Sequence, residues 1–144
     1  MDLISHFQGA RNLVFIQGGV PLFNEGEPGN TMYVLMEGSA TVVVAGHVIE
    51  VAKPGSLLGE MALVDSSVRS ATVIARSNCR LLPINRTQFD LLVRESPEFA
   101  RHVMMVIADR LRRMNQRLLE AVYSEPTIRD ILRRKNSSAI ENLR

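Results

Sequence analysis

Cysteine is nearly absent from the 144 residues: Cys79 stands alone. A single thiol excludes an internal disulfide and fits a reducing cytoplasm; it has no CxxC partner and cannot build a Cys₄ iron–sulfur site. Histidine is almost as scarce. His6, His47 and His102 are far apart, without HxH or HxxxH spacing, which argues against a metal-holding barrel. There is no GxSxG elbow and no Ser–His–Asp arrangement, so the chain reads as a binding protein rather than an enzyme. No apolar run approaches the roughly 18 residues of a membrane span. The start, MDLISHFQGARN, lacks the basic and apolar regions of a signal peptide. These absences predict a cytoplasmic protein with no membrane span and no prosthetic group.

What is present is ordinary in amount and uneven in distribution. With 46% apolar and 22% charged residues, the length suits one domain with a real core. Residues 1–93 hold 6 Lys/Arg and 8 Asp/Glu, net −2; residues 94–144 hold 11 and 7, net +4, which together give the +2 of the whole. The basic residues of the second part alternate with apolar ones at helical spacing. A solvated helix face explains them better than a nucleic-acid surface.

Glycine sets the rhythm of the first half. Gly29, Gly38, Gly46 and Gly55 are 9, 8 and 9 residues apart and enclose β-branched runs: MYVLM (32–36), ATVVVA (40–45) and HVIEV (47–51). SATVIA (70–75) and CRLLPI (79–84) are two further strand candidates. Short strands with regular turn signals predict a sandwich, roll or barrel over residues 12–84. The period then changes. Asn85 and Gln88 form a capping-box pattern before the short helix 86–95. Ser96–Pro97–Glu98 opens a second helix, and no breaker follows until Pro126, giving about seven turns over 97–123. PTIRDILRRK (126–135) is a last short helix in a basic tail, 124–144. There is no solenoid repeat and no low-complexity linker.

One stretch carries candidate chemistry: GEMALVDSSVRSATV, residues 59–73. Glu60 and the single arginine, Arg69, are opposite charges that share the stretch only with Asp65 among apolar and small residues, where unpaired charge is costly. A carboxylate accepts from hydroxyls, an arginine fork matches phosphate oxygens, and a helical turn at Gly59–Leu63 would present amides to an anion. Ser66, Ser67, Ser70 and Ala71 leave room for a ligand. The residues alone allow two readings equally: a pocket for a phosphorylated sugar, or a plain internal Glu–Arg salt bridge.

Two motifs in order break that tie. LFNEGEPGNTMYVLMEGSATV (22–42) resembles the glycine-rich entry hairpin of cyclic nucleotide-binding domains, in which Gly26, Gly29 and Gly38 would set tight turns. LLGEMALVDSSVRSATVIA (57–75) resembles that family's phosphate-binding cassette. The resemblance, covering roughly residues 12–123, is to the domains of catabolite-activator-type regulators, cyclic nucleotide-dependent kinases and gated channels. It implies a mainly β fold with flanking α-helices: a β-roll (double-stranded jelly-roll), a short helix and a long C-terminal helix, with residues 1–123 as the binding domain. By position, Glu60 would take the ribose 2′-hydroxyl and Arg69 the cyclic phosphate. Amides around Gly59, Met61 and Ala62 and the Ser70 hydroxyl would complete the site. Ser70 favours cAMP and leaves cGMP open. Leu58 replaces a frequent phenylalanine and Val68 a frequent proline; neither change removes a contacting group.

The long helix would pair two protomers in bacterial members, and here Met104, Ile107, Leu111, Met114, Leu118 and Ala121 follow heptad spacing. The alternative is a helix resting that stripe on its own barrel. Asn115 matches the stretch that contacts adenine, with Arg112 or Arg113 as alternative covers of the purine. Only residues 124–144 follow, too few for the winged helix-turn-helix of the transcription factors. The sequence is thus expected to be a stand-alone cAMP sensor without a DNA-binding domain, a homodimer that relays ligand binding through its C-terminal helices to an unidentified downstream protein. The alternatives are a fragment of a transcription regulator or channel, and a vestigial barrel serving only as an interaction module.

Overall fold

The computed structural model describes residues 1–65, 68–124 and 127–141; the side chains of 124 and 138–141 are left aside. The order of elements is α1 (Leu3–His6), β1 (Val14–Ile16), β2 (Pro21–Phe23), β3 (Thr31–Glu37), β4 (Ala40–Val44), β5 (His47–Ala52), β6 (Leu57–Leu58), α2 (Met61–Val64), β7 (Thr72–Ala75), β8 (Cys79–Asn85), α3 (Arg86–Glu95), α4 (Pro97–Ser124) and α5 (Ile128–Glu141). The strands form two four-stranded sheets, β1-β8-β3-β6 and β2-β7-β4-β5, with antiparallel pairing throughout. This is the expected jelly-roll with flanking helices.

Alternation builds its core. Successive strand side chains point to opposite faces, so Leu35, Leu58 and Leu81 from one sheet meet Phe23, Val42 and Val73 from the other in one buried cluster. The opposite face of the first sheet is buried too, through Met32, Val34, Leu82 and Ile84. Leu3, Phe89, Phe99 and Val103 from α1, α3 and the first turns of α4 are also buried. Phe99 meets Phe89 and Phe7 edge-on, with ring centroids 6.2 and 6.5 Å apart.

Helix starts follow local chemistry. The Asn85 side chain accepts from the Gln88 N–H and the Gln88 side chain accepts from the Asn85 N–H, each at 2.9 Å, closing the expected capping box. Ser96 Oγ accepts from Phe99 N–H at 3.2 Å at the head of α4. The last helix differs from its expectation. It starts after Thr127, where Thr127 and Asp130 exchange capping bonds, and it continues through Asn136 and Ser137 to Glu141. Polar residues there read as an end, but none of them breaks a helix as proline or glycine does. Pro126 lies outside the described residues.

The chain divides into two compact units, Met1–Met104 and Met105–Arg144. In the second, α5 is exposed over residues 128–137. Of the heptad positions along α4, Met104, Leu111, Met114, Leu118 and Ala121 are exposed and Ile107 is half-buried. Among the described residues no helix is long and apolar enough to cross a membrane.

Candidate functional site

The connection from β6 to β7 holds the two charges that the roll buries: Glu60 is 2% exposed and Arg69 6%. After β6, Gly59 takes φ +78°, a left-handed conformation that β-carbon-bearing residues resist. The chain then enters Glu60 at the N-cap of α2. The Glu60 carbonyl accepts from the Leu63 and Val64 N–H groups at 3.0 and 3.1 Å. The amides of Met61 and Ala62, in the first turn, have no intrahelical acceptor. Met61 is half-buried and Ala62 buried. At the other end of α2, Arg86 of α3 donates Nη1 to Leu63 O and Nη2 to Ala62 O, both at 3.1 Å. One fork thus satisfies two carbonyls that a helix C-terminus leaves open.

Past Asp65 the predicted small residues Ser66 and Ser67 lie outside the described residues. Val68 and Ser70 are exposed on either side of Arg69. The strand begins at Thr72 rather than at Ser70 as the sequence suggests, because Arg69 is held elsewhere. Its N–H donates to Glu27 O at 2.8 Å, and its carbonyl accepts from Gly26 N–H at 2.9 Å. These two bonds tie the cassette to the hairpin loop between β2 and β3.

The Arg69 guanidinium lies in a cradle. Its Cζ sits 4.1 Å from the centroid of the Phe23 ring, and Nη1 donates to Gly59 O at 3.3 Å. A β-carbon on Gly29 or on Gly59 would run into guanidinium atoms. Gly29 therefore has a different job from the turn role expected for it. Gly26 and Gly38 adopt positive φ, Gly29 does not, and what it supplies is space. Burial pushes the Arg69 pKa below its ordinary value, while Tyr33 and Glu27 act electrostatically in the opposite direction. Among the described residues no buried side-chain nitrogen or oxygen lacks a hydrogen-bond partner.

Gly59, Glu60, Met61, Ala62, Arg69 and Ser70 thus belong to one β6–β7 connection, with Glu60 and Arg69 buried in it. Asn115 is exposed on α4 within the second unit. Phe23, Gly29 and Arg86 went unnoticed as site residues. Phe23 and Arg86 look like an ordinary strand residue and an ordinary helix start. Phe23 and Gly29 both lie inside the quoted hairpin, but only Gly29 left a signal of its own, and that signal read as a turn. Among the described residues no three His, Cys, Asp or Glu side chains are grouped to hold a metal.

A jelly-roll whose β6–β7 connection buries a carboxylate and a hairpin-anchored arginine defines a class of ligand-binding roll. The family model for the cyclic nucleotide-binding domain matches residues 13–96, and the chain belongs to that family. A cyclic nucleotide-gated potassium channel of Rhizobium etli is 34% identical over 95 residues, 66% of this chain and 26% of the channel. The crystal structure of the Thermus thermophilus catabolite activator protein superposes with a TM-score of 0.70 at 26% identity, over 81% of this chain and 62% of that one. A cAMP-bound PfPKA-R gives a TM-score of 0.64 at 26% identity, over 73% and 36%. The chain spans about a quarter of the length of the channels it resembles.

Proposed function

We propose that residues 1–123 bind a cyclic nucleotide, with cAMP preferred and cGMP the alternative, and report it to a partner protein. The observation that carries this is the state of Arg69. A buried guanidinium faces a neutral carbonyl at 3.3 Å, whereas charge-assisted N–H···O bonds settle at about 2.7–2.9 Å. A phosphate oxygen is a far better acceptor in that place. Glu60 then takes the ribose 2′-hydroxyl, and the amides of Gly59, Met61 and Ala62 and the Ser70 hydroxyl complete the site. Names of similar proteins point the same way: a cyclic nucleotide-gated channel, a cAMP-bound regulatory chain and a cyclic AMP receptor protein.

Relay follows from Arg86. Its fork joins the end of α2 to the start of α3, so a ligand that repositions α2 pulls on the helices that follow. The exposed heptad stripe of α4 supports pairing with a second copy, since contiguous exposed apolar surface marks interaction sites. In this reading the protein is a cytoplasmic, non-catalytic sensor without a prosthetic group, with residues 124–144 as a basic tail. It works alone or as the ligand domain of a longer regulator or channel. Titration calorimetry with cAMP, cGMP and linear AMP tests the binding. Saturable binding of a cyclic nucleotide with much weaker uptake of the linear one is expected; equal or absent heats for all three overturn the proposal.

A further inference from the structure

The Phe23 ring lies in the hairpin strand β2, 46 positions before Arg69 in the chain, yet the guanidinium carbon sits 4.1 Å from its centroid. Both side chains are buried, at 8% and 6% exposure. The ring is itself held: it stacks on Tyr33 with centroids 6.3 Å apart and planes 28° from parallel. Gly29 and Gly59 close on the guanidinium so tightly that a β-carbon on either would displace it. The Arg69 backbone is pinned by Gly26 and Glu27. Its head group is therefore fixed from several sides, and the aromatic face is the one contact that senses charge and plane together.

That geometry has a chemical consequence. An arginine presents five N–H donors in its plane and none on its faces. With one face against a ring, an incoming anion must approach edge-on, which is the geometry of a bidentate phosphate contact. The negative face of the ring also offsets part of the cost of holding a cation out of water. A leucine of similar bulk would fill the space but do neither.

We infer that Phe23 is a positioning residue for anion binding: its ring face holds the Arg69 guanidinium in the plane a phosphate requires. This rests on the cyclic nucleotide reading above and extends it to a residue outside the cassette. It makes affinity depend on the electron density of a ring that the ligand need not touch.

The test replaces Phe23 in the full chain by phenylalanines carrying one, two and three ring fluorines, which drain the ring face while hardly changing its size. cAMP affinity is read by calorimetry and the fold by thermal unfolding. A stepwise loss reaching about tenfold is expected across the series, within the range of a desolvated cation–π contact, with the unfolding midpoint changing little. In parallel, the Arg69 Nε–H proton resonance should show an aromatic ring shift in the wild type and lose it in Phe23→Leu. A flat affinity series in a protein that binds cAMP overturns the positioning role alone. A wild type that binds no cyclic nucleotide overturns the reading beneath it, and this inference with it.

Discussion

The roll and the C-terminal helices use arginine in opposite ways. In the roll, Arg69 is buried, its backbone is tied to a distant hairpin, and two glycines are kept bare to admit it. On α4, Arg112 pairs with Asp109 at 2.9 Å in an i,i+3 ion pair with both side chains more than half exposed. The first arrangement constrains the sequence at Phe23, Gly29 and Gly59, two of them 40 or more positions away. The second constrains it at one neighbouring residue, in a solvent that would screen the charge anyway. An arginine embedded at such structural cost is the one that the proposed function assigns to the ligand.

The widest gap between the two regions should appear on truncation. Arg69→Ala should weaken cAMP binding by about 2–5 kcal/mol, the usual cost of removing one side of a buried charged contact. Arg112→Ala should change neither binding nor stability by more than about 0.5 kcal/mol. Calorimetry and urea unfolding on the two variants read both numbers. Similar values for the pair would erase the distinction and, with an unchanged affinity in Arg69→Ala, the cassette assignment as well.

This contrast also shows where the sequence was readable. Strands β3, β4, β5 and β8 are long enough for β-branched runs between spaced glycines to show. Strands β1, β2 and β6 have two or three residues each, too few for a period, and β2 begins with Pro21, tolerated because β2 lies at a sheet edge. Glu60 and Arg69 were legible because few charges sit in that apolar stretch and because two motifs in order, the hairpin and the cassette, mark their place. Phe23 and Gly29 were not, because their roles are set by a residue 40 or more positions away. Arg86 was hidden by its place in an ordinary helix start. Local pattern finds the charges; only the folded chain shows what holds them.

Glycine substitutions sharpen the comparison at the next level. Gly59→Ala would force a β-carbon onto a residue at φ +78° and against both Arg69 and Phe23. We expect a loss of about 1–3 kcal/mol of stability from backbone strain and overpacking, with weakened nucleotide binding. Gly46 also has positive φ but has nothing within 4 Å of an added β-carbon. Gly46→Ala therefore isolates the strain from the crowding, and should leave binding unchanged. Equal effects of the two on binding would mean that the cradle does not matter.

On the helices, the expected effects move from stability to assembly. Leu111 and Leu118 are 60% and 63% exposed, so Leu111→Glu and Leu118→Glu should cost the folded protomer no more than about 0.5 kcal/mol. In the proposed dimer each places a charge in the apolar seam. Light scattering should show a dimer in the wild type and dissociation in either variant. A wild type that stays monomeric at high concentration removes the seam from the picture.

His102, on α4 just before the helix becomes exposed, offers the smallest and most graded test. Burial lowers its pKa from the ordinary 6.5; the charged N-terminus acts the same way and Glu98 opposes both. The folded state therefore resists a proton that the unfolded chain accepts. Stability from this group is complete above about pH 6.5 and is lost as pH falls through 6.5 toward the depressed folded value. His102→Gln cannot charge, so its unfolding midpoint in urea should decline less than the wild type's between pH 7.5 and 5. The group is only half-buried, so the difference should be small but of fixed sign. Parallel profiles for the two proteins would mean that α4 at His102 already behaves like the solvated helix beyond it, and would move the edge of the constrained region back toward Phe99.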